Sequence, residues 1–131
     1  MYGDSYFQIH NFDPTKNTLT TKYKSNLFSN RYFLEGSIYF PSNKIFYILT
    51  WQERTVFRYK YSNELGKFEE LSQLPWNTEG WGMTHNNTHI FISDGSEKIY
   101  VTDSDLKILK TLSITRKGIS LRSLNELEWI E

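Results

Sequence analysis

One carboxylate, one side-chain amide and three aromatic rings stand where this chain can do chemistry: Glu35, Asn125, Phe33, Trp51 and Trp81. Glu35, Trp81 and Asn125 fall at nearly equivalent places in three successive sequence units. Phe33 stands just before Glu35, and Trp51 closes the hairpin that Glu35 opens. If the units share an axis, these side chains converge on one shallow pocket. An acid among rings loses part of its hydration, so its proton affinity rises toward the range in which it can both take up and deliver a proton. A neighbouring amide N–H, or an indole N–H, can stabilise an oxygen on which negative charge develops. Metal chemistry has less to work with. His85 and His89 are four apart in a turn-and-strand context with no third ligand beside them, and the chain has no cysteine for a thiolate site or a disulfide framework.

The elements that must hold these residues repeat. Glu35-Gly36-Ser37-Ile38-Tyr39-Phe40 turns at Pro41-Ser42-Asn43 and returns from Lys44 to Trp51. A second copy runs from Glu79-Gly80 through Trp81-Gly82, turns at His85-Asn86-Asn87, re-extends from Thr88 to Ile92 and ends in the corner Ser93-Asp94-Gly95-Ser96. Glu79 lies 44 residues after Glu35, and a third copy begins 47 residues later at Glu126-Leu127. Between them lie hairpins of a second kind. Ser5 to His10 extends, Asn11 to Asn17 turns, and Thr18 to Lys24 returns. Val56 to Tyr61 turns at Ser62-Asn63-Glu64-Leu65-Gly66 and returns through Phe68 to Leu71. Ile99 to Thr102 turns at Asp103-Ser104-Asp105 and returns through Leu106 to Leu112. Residues 25–32, 72–78 and 113–124 cross from one unit to the next.

Two hairpins in roughly 40–50 residues is the sequence form of a four-stranded propeller blade. The expectation is therefore all-β: a single incomplete β-propeller domain over residues 1–131, with inner hairpins starting near Glu35, Glu79 and Glu126 and about two and a half to three blades in all. Known closed propellers have at least ~4 blades. An open arc has two raw edges, so missing chain segments or self-association are expected to cover them.

Composition narrows the partners. Fifteen Lys and Arg balance fifteen Asp and Glu, which argues against a nucleic-acid partner, since phosphate binding needs a positive excess. Runs such as Thr21-Lys22-Tyr23-Lys24 and Arg58-Tyr59-Lys60-Tyr61 read as half-exposed strands. No apolar run approaches the ~18 residues of a membrane-spanning helix. Met1-Tyr2-Gly3-Asp4 has neither the basic nor the apolar part of a secretory leader, and this leaves the compartment open. Asn86-Asn87-Thr88 is a glycosylation sequon that matters only in a secreted protein.

Five short stretches carry a resemblance: Phe33-Leu34-Glu35-Gly36, Leu49-Thr50-Trp51-Gln52-Glu53, Glu79-Gly80-Trp81-Gly82-Met83-Thr84, Ser93-Asp94-Gly95-Ser96 and Leu124-Asn125-Glu126-Leu127-Glu128. In order and spacing they resemble the plant- and bacterial-type glutaminyl-peptide cyclotransferases, also called glutamine cyclotransferases or glutaminyl cyclases. Tyr2-Gly3 also looks like the segment that follows that family's Phe-Thr-Gln-Gly-Leu opening. The opening itself has no counterpart here, nor do the family's downstream Trp and Lys, so the resemblance is to a family member incomplete at both ends. It implies a five-bladed propeller that converts the N-terminal glutamine of a peptide or protein to pyroglutamate and releases ammonia, without cofactor or metal. It implies that Glu35 is the catalytic acid/base and that Phe33, Trp51, Trp81 and Asn125 form the substrate pocket.

The chemistry fits such a set. The substrate's α-amine must attack its own γ-carboxamide carbon, which is a positioning problem that aromatic walls can solve. One carboxylate can then accept the amine's proton and give it to the departing nitrogen. Glu53 and Glu79 match the motifs but read as loop-holding residues, and Asp94 as the turn residue of its corner. Two other readings remain open: a catalytically inactive propeller-derived peptide-binding or scaffold module, and, on the rim tryptophans alone, a sugar-binding propeller.

Overall fold

The computed structural model describes residues 5–62, 64 and 66–130. Tyr2-Gly3, and two residues of the turn expected at 62–66, lie outside the described residues. Every regular element is a β-strand. β1 (Gln8–Asp13) and β2 (Thr18–Lys24) form a hairpin. β3 (Leu34–Phe40), β4 (Ile45–Thr50), β5 (Thr55–Ser62) and β6 (Lys67–Glu70) form an antiparallel sheet in chain order, and β7 (Leu74–Pro75) pairs with the start of β5. β8 (Met83–His85), β9 (Ile90–Ser93), β10 (Lys98–Thr102) and β11 (Ile108–Ser113) form a second such sheet, followed by the small hairpin β12 (Thr115–Arg116) and β13 (Ile119–Ser120). The arrangement is an open part of a β-propeller, with two complete blades and the outer hairpin of a third.

The β3–β6 sheet is the middle layer, which explains the unbroken apolar run of β4. Successive strand residues point to opposite faces, and both faces here are covered. Tyr47 and Leu49, with Val56 of β5, pack toward the second blade against Met83, Ile90, Ile92 and Trp76. Ile48, Phe57 and Tyr59 pack the other way against Phe7, Phe28 and Phe68. A sheet buried on both sides needs such a run, whereas one solvated face would show alternation. Each fully buried large apolar side chain contributes roughly 1.5–3 kcal/mol. Polar ties cross the same interface: the Tyr47 hydroxyl donates to the Ser104 carbonyl at 2.7 Å, and Arg58 approaches Asp105 at 3.9 Å.

Neighbouring blades meet most closely at their inner strands. A Cβ on Gly36 would lie 2.7 Å from the carbonyl oxygen of Trp81 and 2.9 Å from the amide of Met83, and one on Gly82 would collide with the Asn125 carbonyl group. The Gly36 N–H donates to the Trp81 carbonyl at 2.8 Å. The structural step from blade to blade thus runs from Gly36 to Gly82, 46 residues, two more than the Glu-Gly spacing. A Cβ on Gly80 would instead lie 2.7 Å from the Thr50 carbonyl oxygen, and β8 starts four residues after Glu79.

Two local readings change. Asn11, Phe12 and Asp13, expected in a turn, continue β1. The Asp13 carboxylate accepts the N–H groups of Thr15 and Lys16 at 2.9 and 3.3 Å, so the chain reverses only beyond it. The crossing at 113–124 contains the β12–β13 hairpin, turned by Lys117 and Gly118 at φ 52° and 79°, the positive angles that two-residue hairpin turns require.

Candidate active site

Phe33, Glu35, Trp51, Trp81 and Asn125 line one recess of about 250 Å³ at the inner ends of the blades. Phe33 precedes β3. Its carbonyl accepts the Trp51 N–H at 2.9 Å and its ring meets that indole edge-on at 5.9 Å. Its own N–H donates to Glu53 at 3.3 Å, which gives Glu53 a loop-holding contact. Glu35 is the second residue of β3 and sits where the pairing with β4 shifts register between Leu34 and Ser37, an irregularity of the kind that re-aims a side chain. Partial burial pushes the pKa of Glu35 above the ordinary carboxylate value, and the nearby negative charge of Glu126 pushes it further.

The two indoles are held from behind by Glu79. Its Oε2 accepts the Trp51 Nε1–H at 2.8 Å and the Trp81 Nε1–H at 2.9 Å, and its Oε1 accepts Gln52 at 3.2 Å. The hydrogen bond from Trp81, followed by those from Gln52 and Trp51, holds the Glu79 pKa below its usual value against an opposing effect of burial. Trp81 lies flat on Gly95, where a Cβ would come within 2.6 Å of the ring. The φ of +78° also favours glycine there. Of the two oxyanion donors expected from the sequence, both indole N–H groups are committed to Glu79, which leaves the amide of Asn125.

Asn125 reaches the recess through Ser93. This fully buried serine (0% exposed) accepts the Gly82 N–H at 2.8 Å and donates to the Asn125 carbonyl at 2.8 Å. Neither Ser93 nor Gly95 was singled out from the sequence, and Glu79 was read only as a loop residue. The available signals were Glu79 two positions before Trp81 and the Ser-Asp-Gly-Ser corner itself. Asp94 serves that corner, accepting the Ser96 N–H at 3.0 Å and the Tyr100 hydroxyl at 2.9 Å. His85 lies edge-on to Phe40 and accepts the Asn87 N–H at 3.1 Å.

Blades of four antiparallel strands, with glycines where one blade meets the next and an acid in an aromatic recess beside them, define an open part of a β-propeller. The chain belongs to the glutamine cyclotransferase family, whose sequence pattern matches residues 1–131. The fold is similar to that of the glutaminyl cyclase of Myxococcus xanthus known from its crystal structure, with a TM-score of 0.69 at 22% sequence identity. That likeness covers 85% of this chain and 45% of the other, so the chain spans about half the length of that protein. No curated protein matches the chain.

Proposed function

We propose that this chain carries a glutaminyl-peptide cyclotransferase site, an acyl-transfer site that uses no metal and takes a peptide or protein with an N-terminal glutamine. The observation that supports it most is a lone carboxylate with raised proton affinity, facing three aromatic rings and an amide in one recess. The substrate's α-nitrogen attacks the carboxamide carbon, forming the ring C–N bond and placing negative charge on the amide oxygen, to which Asn125 donates. Glu35 takes a proton from the attacking nitrogen and delivers it to the carboxamide nitrogen. The old C–N bond then breaks, ammonia leaves, and a pyroglutamyl residue remains. A pKa above the usual carboxylate range suits a group that must act as base and then acid.

The recess is open, with Phe33 39% exposed. This openness favours the rival reading, a peptide-binding module without turnover. The exposed side chains Phe12 and Leu19 at one end of the arc, and Leu109 and Ile130 at the other, are faces for further blades of the same protein or for a second copy to cover. Ammonia release from a glutamine-initiated dipeptide, measured together with calorimetric binding, separates the readings. The cyclase reading expects release that falls by ~10²–10⁴ in Glu35→Gln while binding persists. Full turnover in that variant refutes the role of Glu35, and binding without release in the wild type favours the module.

A further inference from the structure

We propose that Glu79 is the positioning residue of this recess: it touches no reacting atom, yet it sets the orientation of two substrate walls at once. The inference rests on the cyclase reading above. Trp51 follows β4 of one blade and Trp81 precedes β8 of the next, and a single oxygen, Oε2 of Glu79, accepts both indole N–H groups at 2.8 and 2.9 Å. Gln52 occupies the other oxygen at 3.2 Å and so fixes which way the carboxylate faces. Glu79 is not among the residues lining the recess.

Trp81 rests on the bare face of Gly95 and Trp51 on the edge of Phe33, and neither contact distinguishes one edge of an indole from the other. The hydrogen bonds do, because an indole has a single N–H donor and a flipped ring would withdraw that donor from the carboxylate. Cyclisation requires the glutamine side chain to fold back over its own amine. Between these walls a misplacement of ~1 Å can cost ~10²-fold in rate. An extended, unreactive glutamine can still occupy a loosened recess, so loss of Glu79 falls on kcat rather than on KM.

The test compares Glu79→Ala, Glu79→Gln and the exchange Gln52→Glu/Glu79→Gln in the intact protein, with kcat and KM from ammonia release on a glutamine-initiated dipeptide and indole order from near-ultraviolet circular dichroism. Glu79→Ala is expected to lower kcat by ~10–100-fold, with KM within about threefold and weakened tryptophan bands. Glu79→Gln retains an acceptor for the indoles but turns an N–H₂ toward that of Gln52, so it recovers only part of the loss. The exchange restores a donor–acceptor pair at that point and is expected to return kcat to within about threefold of wild type, with the bands. A kcat within threefold in Glu79→Ala, or an exchange variant no better than Glu79→Ala, overturns the proposal. If the wild type releases no ammonia, the cyclase reading fails by itself. The dichroism then decides on positioning alone: loss in Glu79→Ala with recovery in the exchange upholds it, and any other pattern refutes it.

Discussion

Two of the aromatic-walled hollows among the described residues differ in how their rings are held. The recess at the inner ends of the blades holds about 250 Å³ and the cleft between residues 25–32 and the outer strands about 450 Å³. In the outer cleft the rings hold one another: Phe28 meets Phe57 edge-on at 4.7 Å, and Phe7 lies 4.8 Å from Tyr59. Burial, with the charge of Glu70 second, pushes the Tyr59 hydroxyl far above its ordinary pKa. In the inner recess the rings are tied by hydrogen bonds to a carboxylate behind them, and the acid in front has its proton affinity raised toward neutrality. Neither volume nor aromatic lining marks a site. The outer cleft also has an acid, Glu70, in its lining; what sets the smaller hollow apart is an acid beside walls tied in place by hydrogen bonds.

The contrast breaks first if Glu35→Gln and Tyr59→Phe behave alike in the ammonia assay. The expected outcome is a loss of ~10³-fold for the first and unchanged turnover for the second. Next comes stability. Phe57, 3% exposed in the packed side of the outer cleft, should cost ~3–5 kcal/mol as Phe57→Ala, read by denaturant unfolding. Phe33→Ala at the open recess should cost ~1 kcal/mol or less and raise KM instead. Gly82→Ala follows at ~1–3 kcal/mol, because the new methyl collides with the Asn125 carbonyl group.

The smallest effects lie in pH. Burial first, then Glu126, raises the pKa of Glu35, so the acidic limb of the rate profile should lie above the usual carboxylate range and move to lower pH in Glu126→Gln. Above that range the folded state holds a proton more tightly than the unfolded chain, so stability falls as pH rises through the folded value. Glu35→Gln should therefore melt slightly higher than wild type at neutral pH, by ~1 °C, and no higher in acid. Glu79 has the opposite sign. Its lowered pKa, set chiefly by the Trp81 hydrogen bond, stabilises the fold above the ordinary carboxylate value. That contribution is lost as pH falls through the folded value, a loss that the tryptophan dichroism should follow.

The blade pattern could be read from the sequence because alternation and turn chemistry are local. The run from Ile45 to Leu49 and the breaks at Asp103-Ser104-Asp105 needed no tertiary knowledge. The gathering of Glu35, Trp81 and Asn125 was readable because a repeat fixes equivalent positions even without coordinates. Glu79 escaped as a clamp because one of its partners is 28 residues away, and nothing in a side chain's type says which distant donors will reach it. Ser93 escaped because a serine in a corner reads as a turn former, and only the folded chain shows its buried hydroxyl joining the segments of Gly82 and Asn125. The step between blades runs from Gly36 to Gly82, and a search on the Glu-Gly pair finds the first but takes Gly80 for the second.

Those two glycines leave nothing but peptide between successive inner strands. The spacing of neighbouring blades at these two points is consequently set by backbone contact and not by side-chain volume. Residues 35, 81 and 125 can be exchanged for others without changing how far apart their α-carbons stand. A frame joined in this way can take a new ligand by exchange of a few groups while the backbone contacts that space them stay as they are.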